Sequence, residues 1–201
     1  MMKSIRKTWY RARLAITALA NDGRGVAAIE FAMIVPIMLV LFFGTVEFSS
    51  GVAADRKVTL MARTFSDLVS QNFSVSTVQL QNFYNADVAI MTPYSSTPTT
   101  AVISELYIDP TTLNAKVEWS LAYNGAAAHT AGTVIASVPG TLAVPDTYLI
   151  YSEIGYTYTP AVGFVMKSGI NLRDVAYTRP RQSKCVIYPT PASGPLPSCP
   201  Q

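Results

Sequence analysis

The sequence predicts an α+β fold in which a long N-terminal helix, transmembrane over its first part, continues into a domain built on a small antiparallel β-sheet. Two observations carry this expectation. Residues 26–46, VAAIEFAMIVPIMLVLFFGTV, form a run of 21 residues in which Glu30 is the only charge, and an α-helix of that length covers about 30 Å, the thickness of a bilayer's hydrocarbon core. Beyond residue 101 the apolar period shortens from about 3.6 to about 2, the change that separates helix from strand.

The flanks of the apolar run give it a direction. Lys3, Arg6, Lys7, Arg11, Arg13 and Arg24 precede it, with Asp22 the only acid among them, whereas Glu47 and Asp55 follow it. By the positive-inside rule the N-terminus is expected in the cytoplasm and the rest exported; the expectation is a single-pass protein of a bacterial inner membrane with a periplasmic C-terminal domain. Once those six basic residues are set aside, nine Lys and Arg remain against eleven acids. No nucleic-acid partner is therefore expected, because phosphate binding needs clustered positive charge. A cleaved secretory signal is the competing reading of a basic stretch followed by an apolar one. Against it, the leader is long, the apolar core exceeds the roughly 7–15 residues of such signals, and no A-x-A site closes it, Gly51-Val52-Ala53-Ala54 being the nearest approach.

The expected organisation is a basic cytoplasmic leader over 1–25, a transmembrane helix over 26–46, a periplasmic α+β domain over 47–184 and a Pro-rich tail over 185–201. After Glu47, the positions of Val58, Ala62, Phe65 and Val69 draw an apolar stripe down a helix that runs to about Gln71. Val78, Leu80, Phe83 and Val88 suggest a second helix over 76–91, ended by Thr92-Pro93. Strands are expected over Ala101–Ile108 and Leu113–Tyr123, paired as a hairpin through Asp109-Pro110-Thr111-Thr112, then over Tyr148–Tyr158 and Ile170–Thr178. In the second strand, Leu113, Ala115, Val117, Trp119, Leu121 and Tyr123 alternate with polar residues and are expected on one face. The Tyr residues at 148–158 are expected to populate the sheet rather than form a binding surface.

Cys185 and Cys199 lie in the tail, on the side predicted to be oxidising, so a disulfide is expected. Closing a loop of about 15 residues contributes roughly 3 kcal/mol on the chain-entropy description. The only histidine, His129, sits in an Ala-rich stretch with no acid beside it in sequence and lies 56 residues before Cys185. It is expected to be a solvated loop residue, and neither a metal site nor a catalytic triad is expected. Glu105 and Glu118 are placed to face each other across the expected hairpin, although like charges on a sheet surface are commonplace. No enzyme activity, cofactor or small-molecule substrate is predicted.

Glu30 demands an explanation of its own, because an acidic residue at the centre of a membrane helix costs about 2.5–3.5 kcal/mol on insertion scales, and less toward the interface. Its setting is Gly25-Val26-Ala27-Ala28-Ile29-Glu30-Phe31, a Gly closing a basic leader and a Glu-Phe pair at the fifth and sixth positions of an apolar helix. This resembles the processing site of type IV pilins, and more closely the TadE-like pseudopilins of the tight-adherence, or Flp-type, pilus system. The resemblance covers residues 22–48 well, and Tyr177-Thr178-Arg179-Pro180-Arg181 looks like the region where such proteins approach their C-terminus. It implies cleavage between Gly25 and Val26 by a prepilin peptidase, subunit contacts through Glu30 and Phe31, and partners among other pilin-like subunits and the pilus assembly machinery. The alternative is an unprocessed, membrane-anchored periplasmic binding protein, which has no need of Gly25 and Glu30 together.

Overall fold

The computed structural model describes residues 23–160, 163, 168–190, 198 and 199; the leader up to residue 22 and most of the Pro-rich tail fall outside the described residues. Two compact units emerge, Met1–Val46 and Glu47–Gln201. The described elements are α1 (Arg24–Ser70), α2 (Thr77–Val88) with a 3-10 turn at Ala89–Met91, β1 (Thr99–Ile108), β2 (Ala115–Tyr123), β3 (Tyr148–Tyr158) and β4 (Ile170–Thr178). The fold is α+β, as the change of period predicts.

Helix α1 is held at its end by its own side chains. Asn72 Nδ2 donates to the Leu68 carbonyl at 2.7 Å and Ser70 Oγ to that of Asp67 at 2.7 Å, satisfying carbonyls that a helix terminus otherwise leaves open. Four residues later Ser76 begins α2 with a reciprocal capping box. Gln79 N–H donates to Ser76 Oγ at 3.2 Å and Ser76 N–H donates to Gln79 Oε1 at 2.9 Å, an arrangement worth about 1 kcal/mol. At the other end, Lys57 Nζ of α1 donates to the carbonyls of Ile90 and Thr92 at 2.6 and 2.8 Å, placing a positive charge where the helix dipole is negative.

Antiparallel strands in the order β2-β1-β3-β4 make the sheet, so the hairpin of β1 and β2 is followed by a long connection that brings β3 to the free edge of β1. One sheet face takes the predicted stripe of α1: Val58, Ala62, Phe65 and Val69 are buried together with Ile103, Ile150 and Ile154. Ser152 Oγ, in the middle of that face, donates to the Ala62 carbonyl at 2.6 Å. The opposite face buries Leu106, Ile108, Val117 and Leu149 beneath Ile135, Val138 and Leu142 of the β2–β3 connection.

Strand β2 departs from the expected pattern in two ways. It begins at Ala115 rather than Leu113, because Leu113 adopts a φ of 58° in the turn. A β-bulge also interrupts its pairing: Glu105 pairs with Trp119 and Leu106 with Val117, leaving Glu118 as the extra residue. An extra residue exchanges the faces on which the following side chains lie. Ala115 and Val117 therefore pack on one side of the sheet while Trp119 and Tyr123 pack on the other.

Candidate functional site

The N-terminal unit is described by α1 from its first turn onward. Val26 N–H donates to the Gly23 carbonyl at 3.3 Å, so the Gly25–Val26 bond lies in the opening turn, where backbone donors have no helical partner four residues back. Among the described residues, a Cβ added at Gly25 would meet nothing within 4 Å. Val26 and Glu30 are four residues apart in the helix and so share a face. Glu30 is exposed within an apolar surface that includes Ile29, Phe31, Met33 and Ile34, all more than half exposed.

The rest of this surface is built in the same way. The most apolar stretch of α1 has no buried residue and is long and apolar enough to cross a membrane. Thr45 Oγ1 donates to the Leu41 carbonyl at 2.7 Å, which satisfies a hydroxyl inside an otherwise apolar segment. Pro36 lies inside the helix and removes the donor that the Ala32 carbonyl would otherwise receive. Ala28 and Ala32 offer small side chains one turn apart, and both are exposed.

In the second unit His129 and the pair Glu105 and Glu118 are arranged differently from expectation. His129 is half-buried and not a solvated loop residue: its Nε2 lies 2.6 Å from Glu153 Oε2, while its N–H donates to Ser120 Oγ at 3.0 Å. The acid missing from its sequence neighbourhood comes from β3, 24 residues away. Glu105 and Glu118 do not face each other, because the bulge puts Trp119 opposite Glu105. Both border a cavity of about 210 Å³ closed by Val186, Ile187 and Tyr188. The Tyr residues of β3 at 148, 151, 156 and 158 are buried in the sheet. Among the described residues, no group of three or more His, Cys, Asp and Glu side chains is placed to hold a metal ion.

Cys185 and Cys199 form a disulfide. Cys185 and Val186 are buried, and Val186 belongs to the main core. Backbone bonds from Val75 N–H to the Ile187 carbonyl and from Ile187 N–H to the Phe73 carbonyl, at 2.9 and 3.0 Å, tie this segment to the connection between α1 and α2. The buried Glu105 carboxylate, which sequence reasoning treated only as a surface charge, anchors the segment: Oε1 accepts the Val186 N–H at 2.6 Å and Oε2 accepts Trp119 Nε1–H at 3.0 Å. Burial pushes this carboxyl up to about 8, against the pull of those two donors.

A helix long and apolar enough to cross a membrane, its exposed apolar surface broken by the Glu30 carboxylate, precedes a compact α+β head. Residues 25–64 are similar to the family described as TadE-like protein, a likeness that suggests a pilin-like role related to the tight-adherence pilus. The match begins at Gly25, includes Glu30 and Phe31, and stops within α1. No curated protein and no solved structure matches the chain.

Proposed function

We propose that this protein is a non-catalytic, pilin-like component of tight-adherence pilus assembly that a prepilin peptidase processes between Gly25 and Val26. Its helix is held in the bacterial inner membrane, with the leader in the cytoplasm and the head in the periplasm, until it packs against other pilin-like helices. The observation that carries this reading is the placement of Glu30: an exposed carboxylate on an apolar helix, on the face it shares with Val26. Cleavage frees an α-amino group at Val26, and the Glu30 carboxylate of a neighbouring subunit pairs with it. Two charges that are each costly in lipid are tolerated as a pair.

Gly25 supports the same reading. Among the described residues nothing lies within 4 Å of a Cβ at that position, and a glycine there suits a protease that binds extended backbone. The first helical turn is also where unwinding breaks the fewest backbone bonds.

The test is to compare wild type with Glu30→Leu in cells that make the other pilin-like subunits. The variant is expected to remain in the membrane fraction, since an apolar residue inserts more readily than a carboxylate, and to lose most of its cross-linking to those subunits. Cross-linking at the wild-type level would overturn the charge-pairing mechanism.

A further inference from the structure

The head carries an apolar groove of about 230 Å³, formed by Phe48, Gly51 and Val52 of α1 against Tyr158, Ile170 and Leu172 of the sheet, with Asp55 at its rim. Phe48 is 69% exposed, and Val52 and Ile170 are each more than a third exposed. The groove is firmly constructed. Tyr158 packs edge-on against Tyr94 at 6.0 Å, and Tyr94 OH donates to the Ser50 carbonyl at 3.1 Å, which ties the sheet side of the groove to the helix side. The Tyr158 ring lies beside Gly51, its Cε1 3.6 Å from where a Cβ would stand, an ordinary contact distance.

We propose that this groove is a lipid-docking surface, seated in the headgroup and upper acyl layer of the membrane that the helix crosses. The proposal rests on residues 26–46 being the membrane span. Phe48 follows Val46 by two residues, so the chain keeps it within about 7 Å of the end of the span even if fully extended. Between Phe48 and Val52 the helix rises about 6 Å, close to the 5–7 Å by which the polar layer extends beyond the hydrocarbon on each side. Apolar and aromatic side chains held at that depth partition into the interface. Lipid is present there at bulk concentration, whereas a protein occupant would have to be recruited. Because Ile170 and Leu172 line the same groove as Phe48 and Val52, docking of the groove in lipid brings the start of β4 to the membrane surface.

Ile170 is the discriminating position. It is 124 residues beyond Val46, so only the groove brings it to the lipid. Both native cysteines are in the disulfide, which leaves a single introduced thiol free for labelling. The full chain, carrying a polarity-sensitive fluorophore at Ile170→Cys, Phe42→Cys or Val78→Cys, is reconstituted in phosphatidylethanolamine and phosphatidylglycerol vesicles containing quenchers in the headgroup or in the acyl chain. Val78 is the control, exposed on α2 beyond the C-terminal end of α1. The expected result is that headgroup quencher removes most of the Ile170 emission and little of the Val78 emission, while acyl quencher removes that of Phe42.

Equal quenching at Ile170 and Val78, with Phe42 still quenched, would overturn the docking proposal and leave the span intact. An Ile170 probe shielded only as the protein-to-lipid ratio rises would assign the groove to a second copy and overturn it too. An unquenched Phe42 would remove the span and the docking proposal together. Val52→Cys, read in the same way, replaces Ile170→Cys if that variant does not fold.

Discussion

The Val186 backbone N–H donates to Glu105 Oε1 at 2.6 Å inside the head, and the Trp119 indole N–H bridges Glu105 Oε2 and the Val186 carbonyl at 3.0 and 2.9 Å. Three groups distant in sequence thus satisfy one another, and the segment around Val186 is tied to the sheet. Glutamine at position 105 has only one oxygen acceptor, and its amide presents a donor to a second N–H. Glu105→Gln is expected to lower unfolding stability by about 1–3 kcal/mol, the cost of a buried donor left without an acceptor. Urea unfolding measures the loss, and hydrogen exchange at the Val186 amide should accelerate with it. Unchanged exchange there would show that Glu105 does not anchor the segment.

Asp87 of α2 is buried, and neither of its carboxylate oxygens has a hydrogen-bond partner among the described residues. Burial pushes its carboxyl from 3.8 up to about 8. The folded state therefore holds a proton that the unfolded chain releases near pH 4. This contribution to stability is fully present below about pH 4 and is lost as pH rises through about 8, with a limiting slope of roughly 1.4 kcal/mol per pH unit. Asp87→Asn is expected to flatten that decline: its urea midpoint should exceed that of wild type near pH 8 and approach it near pH 4. Parallel pH profiles for the two proteins would contradict the assignment.

Gly155 on β3 lies opposite Thr100 on β1, and a Cβ placed on it would come within 2.6 Å of Thr100 Oγ1. Gly155→Ala is expected to cost about 1–3 kcal/mol, as overpacking does. Since the obstructing atom is a single hydroxyl, Thr100→Ala should recover most of that loss in a double-mutant cycle. A cycle with no coupling would mean that the strand pair absorbs the methyl elsewhere.

Much of this architecture can be read from the chain because its signals are local. The stripe of Val58, Ala62, Phe65 and Val69 reports one buried helix face, and alternation of polar and apolar residues identifies the strands. The facing of β2 was hidden for a physical reason. Both faces of the sheet are covered, so apolar alternation continues unbroken through a bulge that exchanges the faces, and Glu118 looks like any other polar strand position. Long-range polar partners were equally hidden. Glu153 reaches His129 only through the placement of β3 beside β1, and Glu105 becomes a buried anchor only because the segment after Lys184 crosses the sheet. At the helix start, Gly25, Val26, Glu30 and Phe31 lie within two turns of one helix, so their pattern is local in the chain.

Processing between Gly25 and Val26 is tested most directly by the N-terminal mass of the protein recovered from membranes of cells with and without an active prepilin peptidase. A chain beginning at Val26 only when the peptidase is active is the predicted result. An intact leader in both strains would contradict it and leave an unprocessed, anchored protein.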